Sequence, residues 1–466
     1  MSLNKQRGGT LAFDLCVIIG TFPDTGCHPK NNHQAGPKYV PALSRIQPFK
    51  GNTAMRSTNV PAAMAAAMTA ALCAPAAYAA KDHVVYTFTD ATDGGFPQGG
   101  VIQDGKGNFF GTTTSGGTGH NGVVYELTQN KTTKAWTQTT LYAFTGGNDG
   151  GIAQAGLVAD AKGNLFGTTY AGGASGEGVV FELSPPANGG TTWTETTLWT
   201  FTGGNDGGEP TDALVLDSKG NLYGTTDGGG TGVVGTVFEL SPPSGGTGAW
   251  TETVLYNFTG NNDGGEPYGS VLLASDGNIY GTTAGYGADN NGTIFKLAPS
   301  GKSWALTTLH AFAGGTDGEV PRAGLLEGAN GVLYGDTAGF AESYGNVFSI
   351  NTDGSGYKVI WTVKGGQGFT GNGPWQGLSL DPTSGALYGA TLADGKSAAG
   401  EVFKLTPPTS GKKWTGSVLH VFQPGTAEQI AYTPVLITKT WIYGTTYGAA
   451  GESGFYPGTV WRIAKD

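Results

Sequence analysis

Apolar and polar positions alternate along most of this chain in short runs broken by glycine. The clearest run is GNLYGTT at residues 220–226. Related runs stand at 107–113 (GNFFGTT), 163–169 (GNLFGTT) and 277–283 (GNIYGTT), with looser copies at 331–337 (GVLYGDT), 385–391 (GALYGAT) and 441–446 (WIYGTT). The aromatic before the inner glycine falls at Phe110, Phe166, Tyr223, Tyr280, Tyr334, Tyr388 and Tyr443, a period of 54 to 57 residues. A fixed period of this size is the mark of a repeat architecture. Each unit adds a second alternating run (residues 180–183, 237–240), a threonine-rich aromatic run (196–201, TTLWTF; 253–258, TVLYNF) and a short apolar run (156–160, GLVAD). These runs are rich in β-branched and aromatic residues and are bounded by Gly, Asn, Asp or Pro, which predicts strands. Apolar residues nowhere keep a helical spacing across the repeats.

Four short strands per unit predict an all-β protein, a seven-bladed β-propeller with four-stranded blades. The units are out of phase with the chain ends. HVVYTF at 83–88 matches the fourth strand of later units, and the last unit stops at 460–463 without one. The spacing therefore predicts that blade seven combines 433–437, 441–446 and 460–463 with 83–88, closing the ring and leaving no free sheet edge. In blade one the expected strands are 100–104, 108–113, 123–127 and 139–144. Asp104, Asp160 and Asp217, each followed three residues later by glycine, predict tight turns between first and second strands. The recurring Gly111, Gly167, Gly224 and Gly281 are expected to permit close packing between blades.

Composition changes the picture at the amino terminus. Residues 56–80 carry one arginine, an alanine-rich apolar stretch and Ala77-Tyr78-Ala79-Ala80. That is the pattern of a secretory signal peptide with an Ala-x-Ala cleavage site. The expected organisation is an extension at 1–54, a signal peptide at 55–80 and the propeller at 81–466, located in the periplasm or outside the cell. Cys16, Cys27 and Cys73 all precede the repeats, and with His28 and His33 they form no standard metal spacing. The net charge is −10; residues 1–80 hold seven basic and two acidic residues, so the remainder carries −15. No basic stripe exists, which excludes nucleic acid as a partner. No stretch of the mature part is long and apolar enough for a membrane helix. A monomer is expected.

Strand order places loops between fourth and first strands on the same face as loops between second and third strands. The first set repeats the pattern GGNDGGEP (residues 203–210). Asp149, Asp206, Asp263 and Asp317 occupy matching places there, with Asp93 at the front, and Glu209, Glu266 and Glu319 lie two or three residues later. Each suits a turn carboxylate that accepts backbone N–H bonds, or a calcium ligand. No cofactor is otherwise required. Acids outside the repeat consensus are the weak catalytic candidates for a glycoside hydrolase or lyase, namely Glu177, Asp289, Asp336, Glu342, Asp394 and Glu452, joined by His120. Each also suits a wetted loop residue. Tyr170, Tyr286, Tyr344, Trp375, Tyr447 and Tyr456 offer flat apolar faces to sugar rings, or serve as plugs between blades. No serine elbow, phosphate loop, dinucleotide fingerprint or zinc-protease motif is present.

The repeated GNLYGTTxxGG followed by GxVFxL resembles the GloVer tandem-repeat family of secreted bacterial proteins. The resemblance covers about residues 83–463 and is strongest over the first five units. It implies secretion and a repeat architecture, and it supplies no catalytic residues. Together these features predict a secreted ligand-binding propeller with an extracellular polysaccharide or surface protein as partner. A polysaccharide-active enzyme and a structural or protein-binding module are the alternatives.

Overall fold

The computed structural model describes residues 83–465 except 188–189, 247, 340–344, 364–373, 393–399, 410–412, 424–425, 427–429, 432 and 452–453. The extension and the signal-peptide segment lie outside the described residues. Seven four-stranded antiparallel sheets are present, six of them running in chain order from first strand to fourth. Blade one comprises Ile102–Gln103, Phe109–Thr112, Val123–Gln129 and Trp136–Ala143. Its first strand is only two residues long, shorter than the sequence implied. Blade six departs from this with a longer first strand, Pro374–Leu380.

Blade seven closes the ring as expected. Its order is His83–Thr87, Thr459–Ala464, Trp441–Thr446 and Leu436–Ile437. The borrowed strand even repeats a local irregularity of true fourth strands. Its register against the third strand shifts between Val84 and Tyr86, as the pairing of other blades shifts between Val180 and Phe181 or Val237 and Phe238. A bulge of this kind adds twist to the outer strand. A small hairpin, Ala449–Gly451 with Gly454–Tyr456, was not anticipated from the sequence.

The core is divided into seven layers, one at each blade boundary. One layer joins Phe166 and Val180 of blade two to Leu214, Leu222 and Phe238 of blade three. The closing layer joins Tyr443 and Val460 of blade seven to Phe109 and Tyr125 of blade one. Second strands are therefore buried on both faces, whereas fourth strands alternate between exposed and covered positions. Each buried Phe or Leu contributes about 1.5–3 kcal/mol.

The repeated threonines explain how the layers are pinned. In several blades the first threonine of the motif donates to a carbonyl in the next blade: Thr112 to Ala155, Thr225 to Gly269 and Thr282 to Ala323, at 2.7, 3.1 and 2.8 Å, whereas the Thr168 hydroxyl of blade two is buried without a partner. The second stays within its blade. Thr226 Oγ1 accepts from Thr236 N at 3.1 Å and lies 3.0 Å from the Gly228 carbonyl. The motif glycine has a different role from the expected one. Gly224 pairs with Phe238 across the same sheet, and a Cβ there would stand 2.6 Å from Phe238 Cζ. The missing side chain makes room for the blade's own aromatic, which then reaches the neighbouring layer.

Candidate functional site

The two loop sets share one face, as the strand order requires. Backbone pairing between Gly208 and Gly228, and between Gly265 and Gly285, ties each entry loop to the second-to-third loop of its own blade. The recurring aspartates lie in these entry loops and bond within them. Asp206 Oδ2 accepts from Thr202 N at 3.0 Å, and its other oxygen takes the Thr202 hydroxyl. Asp149 accepts from Thr145 N at 2.8 Å and from the Tyr142 hydroxyl at 3.0 Å, and Asp263 from Thr259 N at 2.9 Å and from the Tyr256 hydroxyl at 3.1 Å. Asp317 takes Ala313 N at 2.8 Å and faces His310 Nε2 at 3.0 Å. These bonds come from the turn itself and from the end of the preceding fourth strand. Among the described residues no group of three or more His, Cys, Asp or Glu could hold a metal ion.

Three residues after each such aspartate the loop takes an unusual backbone. Phe96, Ile152, Glu209, Glu266, Val320 and Ile430 are equivalent by their place before the first strand, and all have φ between 53° and 62°. That region is uncommon outside glycine, and a branched or bulky residue there stores about 1–3 kcal/mol. The strained peptide clasps two blades. Glu209 N donates to the Glu177 carbonyl of blade two at 2.8 Å, while its carbonyl accepts from Asp227 N of blade three at 3.2 Å. Glu266 repeats this with Val234 and Ala284, and Ile152 with Asn121 and Tyr170. Glu319 does not belong to this set, because Val320 holds the position in blade five.

The clasp brings the residue after each second strand next to the entry residue of the following blade. Tyr170 hydrogen-bonds to Glu209. Asp227 lies beside Glu266 and also takes a hydrogen bond from Tyr268, whose ring carries the Arg322 guanidinium 4.2 Å from its centroid. Asp227 Oδ1 is buried with no partner. Burial, and then the neighbouring Glu266 carboxylate, push the Asp227 carboxyl up to about 7. The same surroundings hold the Tyr170 and Tyr268 phenols well above their ordinary value, by burial and then the nearby carboxylates. At the boundary of blades seven and one the corresponding pair is aromatic: Phe96 and Tyr447 lie 5.1 Å apart. The mouth is thus acidic and phenolic over blades two to five and aromatic at the closing seam.

The residues singled out in the sequence fall in several places. Tyr170 belongs to the acidic side. Glu177 lies next to it, packed near Gly203 and Gly208, and is raised by burial and then by Glu209. Tyr286 adopts a glycine-like backbone and packs near Gly260 and Gly265, with its phenol raised by burial, Glu266 and Asp227. Tyr447 lies at the opposite seam. His120 and Asp289 are exposed loop residues, His120 at a positive-φ turn whose counterpart in blade two is Gly176. Tyr456 is in the small hairpin. Asp336 is not in the mouth; it is 2% exposed in a second strand, where burial holds it well above the carboxylate range. Glu342, Tyr344, Asp394 and Glu452 lie outside the described residues, as does the side chain of Trp375. Asp227, Tyr268 and Arg322 escaped the sequence reading. The signal was available: they stand where aligned units disagree, directly after GTT or directly after the entry proline.

The family described as the Gloeobacter/Verrucomicrobia repeat matches residues 76–252 and 217–461. The chain belongs to this family. No curated protein matches it. Among solved structures, a GH74 xyloglucanase from Xanthomonas campestris is 16% identical with a TM-score of 0.46, the match covering 79% of this chain and 52% of that one. A protein of unknown function from Dyadobacter fermentans is 14% identical, TM-score 0.40, covering 82% and 98%. The K499G mutant of NanB sialidase from Streptococcus pneumoniae is 11% identical, TM-score 0.40, covering 82% and 70%. Likenesses this distant transfer neither activity nor ligand to the present repeats.

Proposed function

We propose that this protein is a secreted binding propeller whose loop-rich mouth holds a neutral polyhydroxylated ligand, a glycan chain. The observation that supports this reading is the convergence of Tyr170, Glu209, Asp227, Glu266 and Tyr268 from consecutive blades beside Arg322. Ionised carboxylates only accept hydrogen bonds, so they suit ligands rich in hydroxyl donors. Partly exposed phenol rings add flat apolar area with few rotamers to lose. Three carboxylates against one guanidinium, on a repeat region of charge −15, repel uronate and sulfate groups. The signal-peptide pattern at 55–80 favours an extracytoplasmic location, and no described helix is long and apolar enough to cross a membrane. Affinity electrophoresis through gels containing neutral polysaccharides tests the proposal. Retarded migration in at least one neutral gel, and none in alginate or dextran sulfate, is the expected outcome; equal mobility in every gel overturns it.

A second reading has its own support. A carboxyl pushed up to about 7 beside another carboxylate is the arrangement of an acid and base pair. Asp227 would then protonate a glycosidic oxygen while Glu266 activates water. New reducing ends released from a retained polysaccharide, and lost in Asp227→Asn, would establish hydrolysis. Retention without products leaves the binding reading in place.

A further inference from the structure

Phe96, Ile152, Glu209, Glu266, Val320 and Ile430 share one strained backbone position in six described blades. The clasp they form uses only the peptide N–H and carbonyl, as in Ile152 N to Asn121 O at 2.8 Å and Tyr170 N to Ile152 O at 3.0 Å. Glycine would make the same two bonds without strain. None of the six side chains belongs to a core layer, and all six are only part-buried. The architecture therefore needs the backbone here and not the side chain. Where the neighbours are defined, the side chain faces the residue after the second strand of the preceding blade: Phe96 packs with Tyr447, Glu209 hydrogen-bonds with Tyr170, and the Glu266 carboxylate acts on Asp227 through its charge.

We infer that this position is the specificity ring of the propeller: in each of the six blades where it is described, one side chain reads the ligand, while the repeat consensus only holds it in place. The ring rests on the glycan reading above and refines it. Glu209 and Glu266 take sugar hydroxyls on one side of the mouth. Phe96, with Tyr447, presents an apolar face to a sugar ring on the other. A local rule broken at the same place in blade after blade, with chemistry that changes around the ring, is what a reading surface requires. A neutral polysaccharide lying across the mouth meets both chemistries at once.

Glycine variants of the full chain separate this from packing. Phe96→Gly, Glu209→Gly and Glu266→Gly are compared with Val233→Gly, a positive-φ residue that is 75% exposed at the tip of another loop. Thermal melting and retardation in xyloglucan, mixed-linkage β-glucan and galactomannan gels are measured for each. The expected result is melting within a few degrees of the parent for all four, with apparent affinity down at least tenfold in the three ring variants and unchanged in Val233→Gly. Retention of the parent with equal retention of the ring variants overturns the ring and leaves the glycan reading standing. A large loss of melting temperature in Phe96→Gly or Glu266→Gly also overturns it, because the side chain would then be structural. Failure of the parent to be retained in any gel removes the glycan reading, and the ring with it.

Discussion

Thr445 Oγ1 lies 3.3 Å from the Gly99 carbonyl and donates to it, across 346 positions of sequence. The same bond joins other neighbouring blades, so the closing seam is built like an internal boundary. It is reinforced by Phe109 and Tyr443, whose ring centroids are 4.5 Å apart. Thr445→Val keeps the shape and removes the donor. It is expected to lower stability by about 1–3 kcal/mol, since the buried Gly99 carbonyl loses its partner. Deleting residues 83–87 is expected to cost far more, because it strips the fourth strand from blade seven. Urea denaturation followed by tryptophan fluorescence checks both.

Asp336 replaces the seam threonine in blade five. Both its oxygens are buried without a partner, and burial raises its pKa well above the ordinary carboxylate. A raised folded-state pKa stabilises fully below the unfolded value near 4 and loses that contribution as pH rises toward the folded value. Asp336→Thr is therefore expected to raise the melting temperature, by little at pH 4 and by more at pH 8. Parallel pH profiles of the two proteins would contradict this.

Gly224→Ala places a Cβ 2.6 Å from Phe238 Cζ, whereas at Gly228 the nearest contact would be 3.6 Å. The first substitution is expected to cost about 1–3 kcal/mol by overpacking. The second should stay within about 0.5 kcal/mol. Equal costs in equilibrium denaturation would remove the packing explanation for the motif glycine.

Asp206 holds its turn through Thr202. Asp206→Ala should cost about 1 kcal/mol through that lost bond. Chelation with EDTA should leave the melting temperature of the parent unchanged, because the carboxylate oxygens serve backbone and hydroxyl donors. A drop on chelation, reversed by calcium, would establish the calcium reading of these aspartates instead.

The repeat period, the strand boundaries and the borrowed strand were legible because each rests on local pattern: alternation, turn residues and the phase of the ends. The mouth was only half legible. Tyr170 was visible as an aromatic after GTT, and Glu209 and Glu266 as acids of the entry loop. What alternation does not encode is which loops meet across a blade boundary. Asp227 reads as an ordinary loop acid until the clasp sets it beside Glu266. The same limit applies to Gly224, whose partner Phe238 is fixed by sheet register. Asp336 was noticed as a departure from the motif, but only the seam shows that it stands in for a buried donor.

Asp227→Asn is the most direct measurement, because it divides stability from binding. Above pH 7 the parent holds a buried charge beside Glu266, and asparagine removes it. The variant should melt higher than the parent, with the gap widening from pH 4 to about 7. It should lose at least tenfold in apparent affinity for the retained neutral polysaccharide. A variant that melts lower at pH 8, or binds as tightly as the parent, would contradict a ligand-reading acidic mouth.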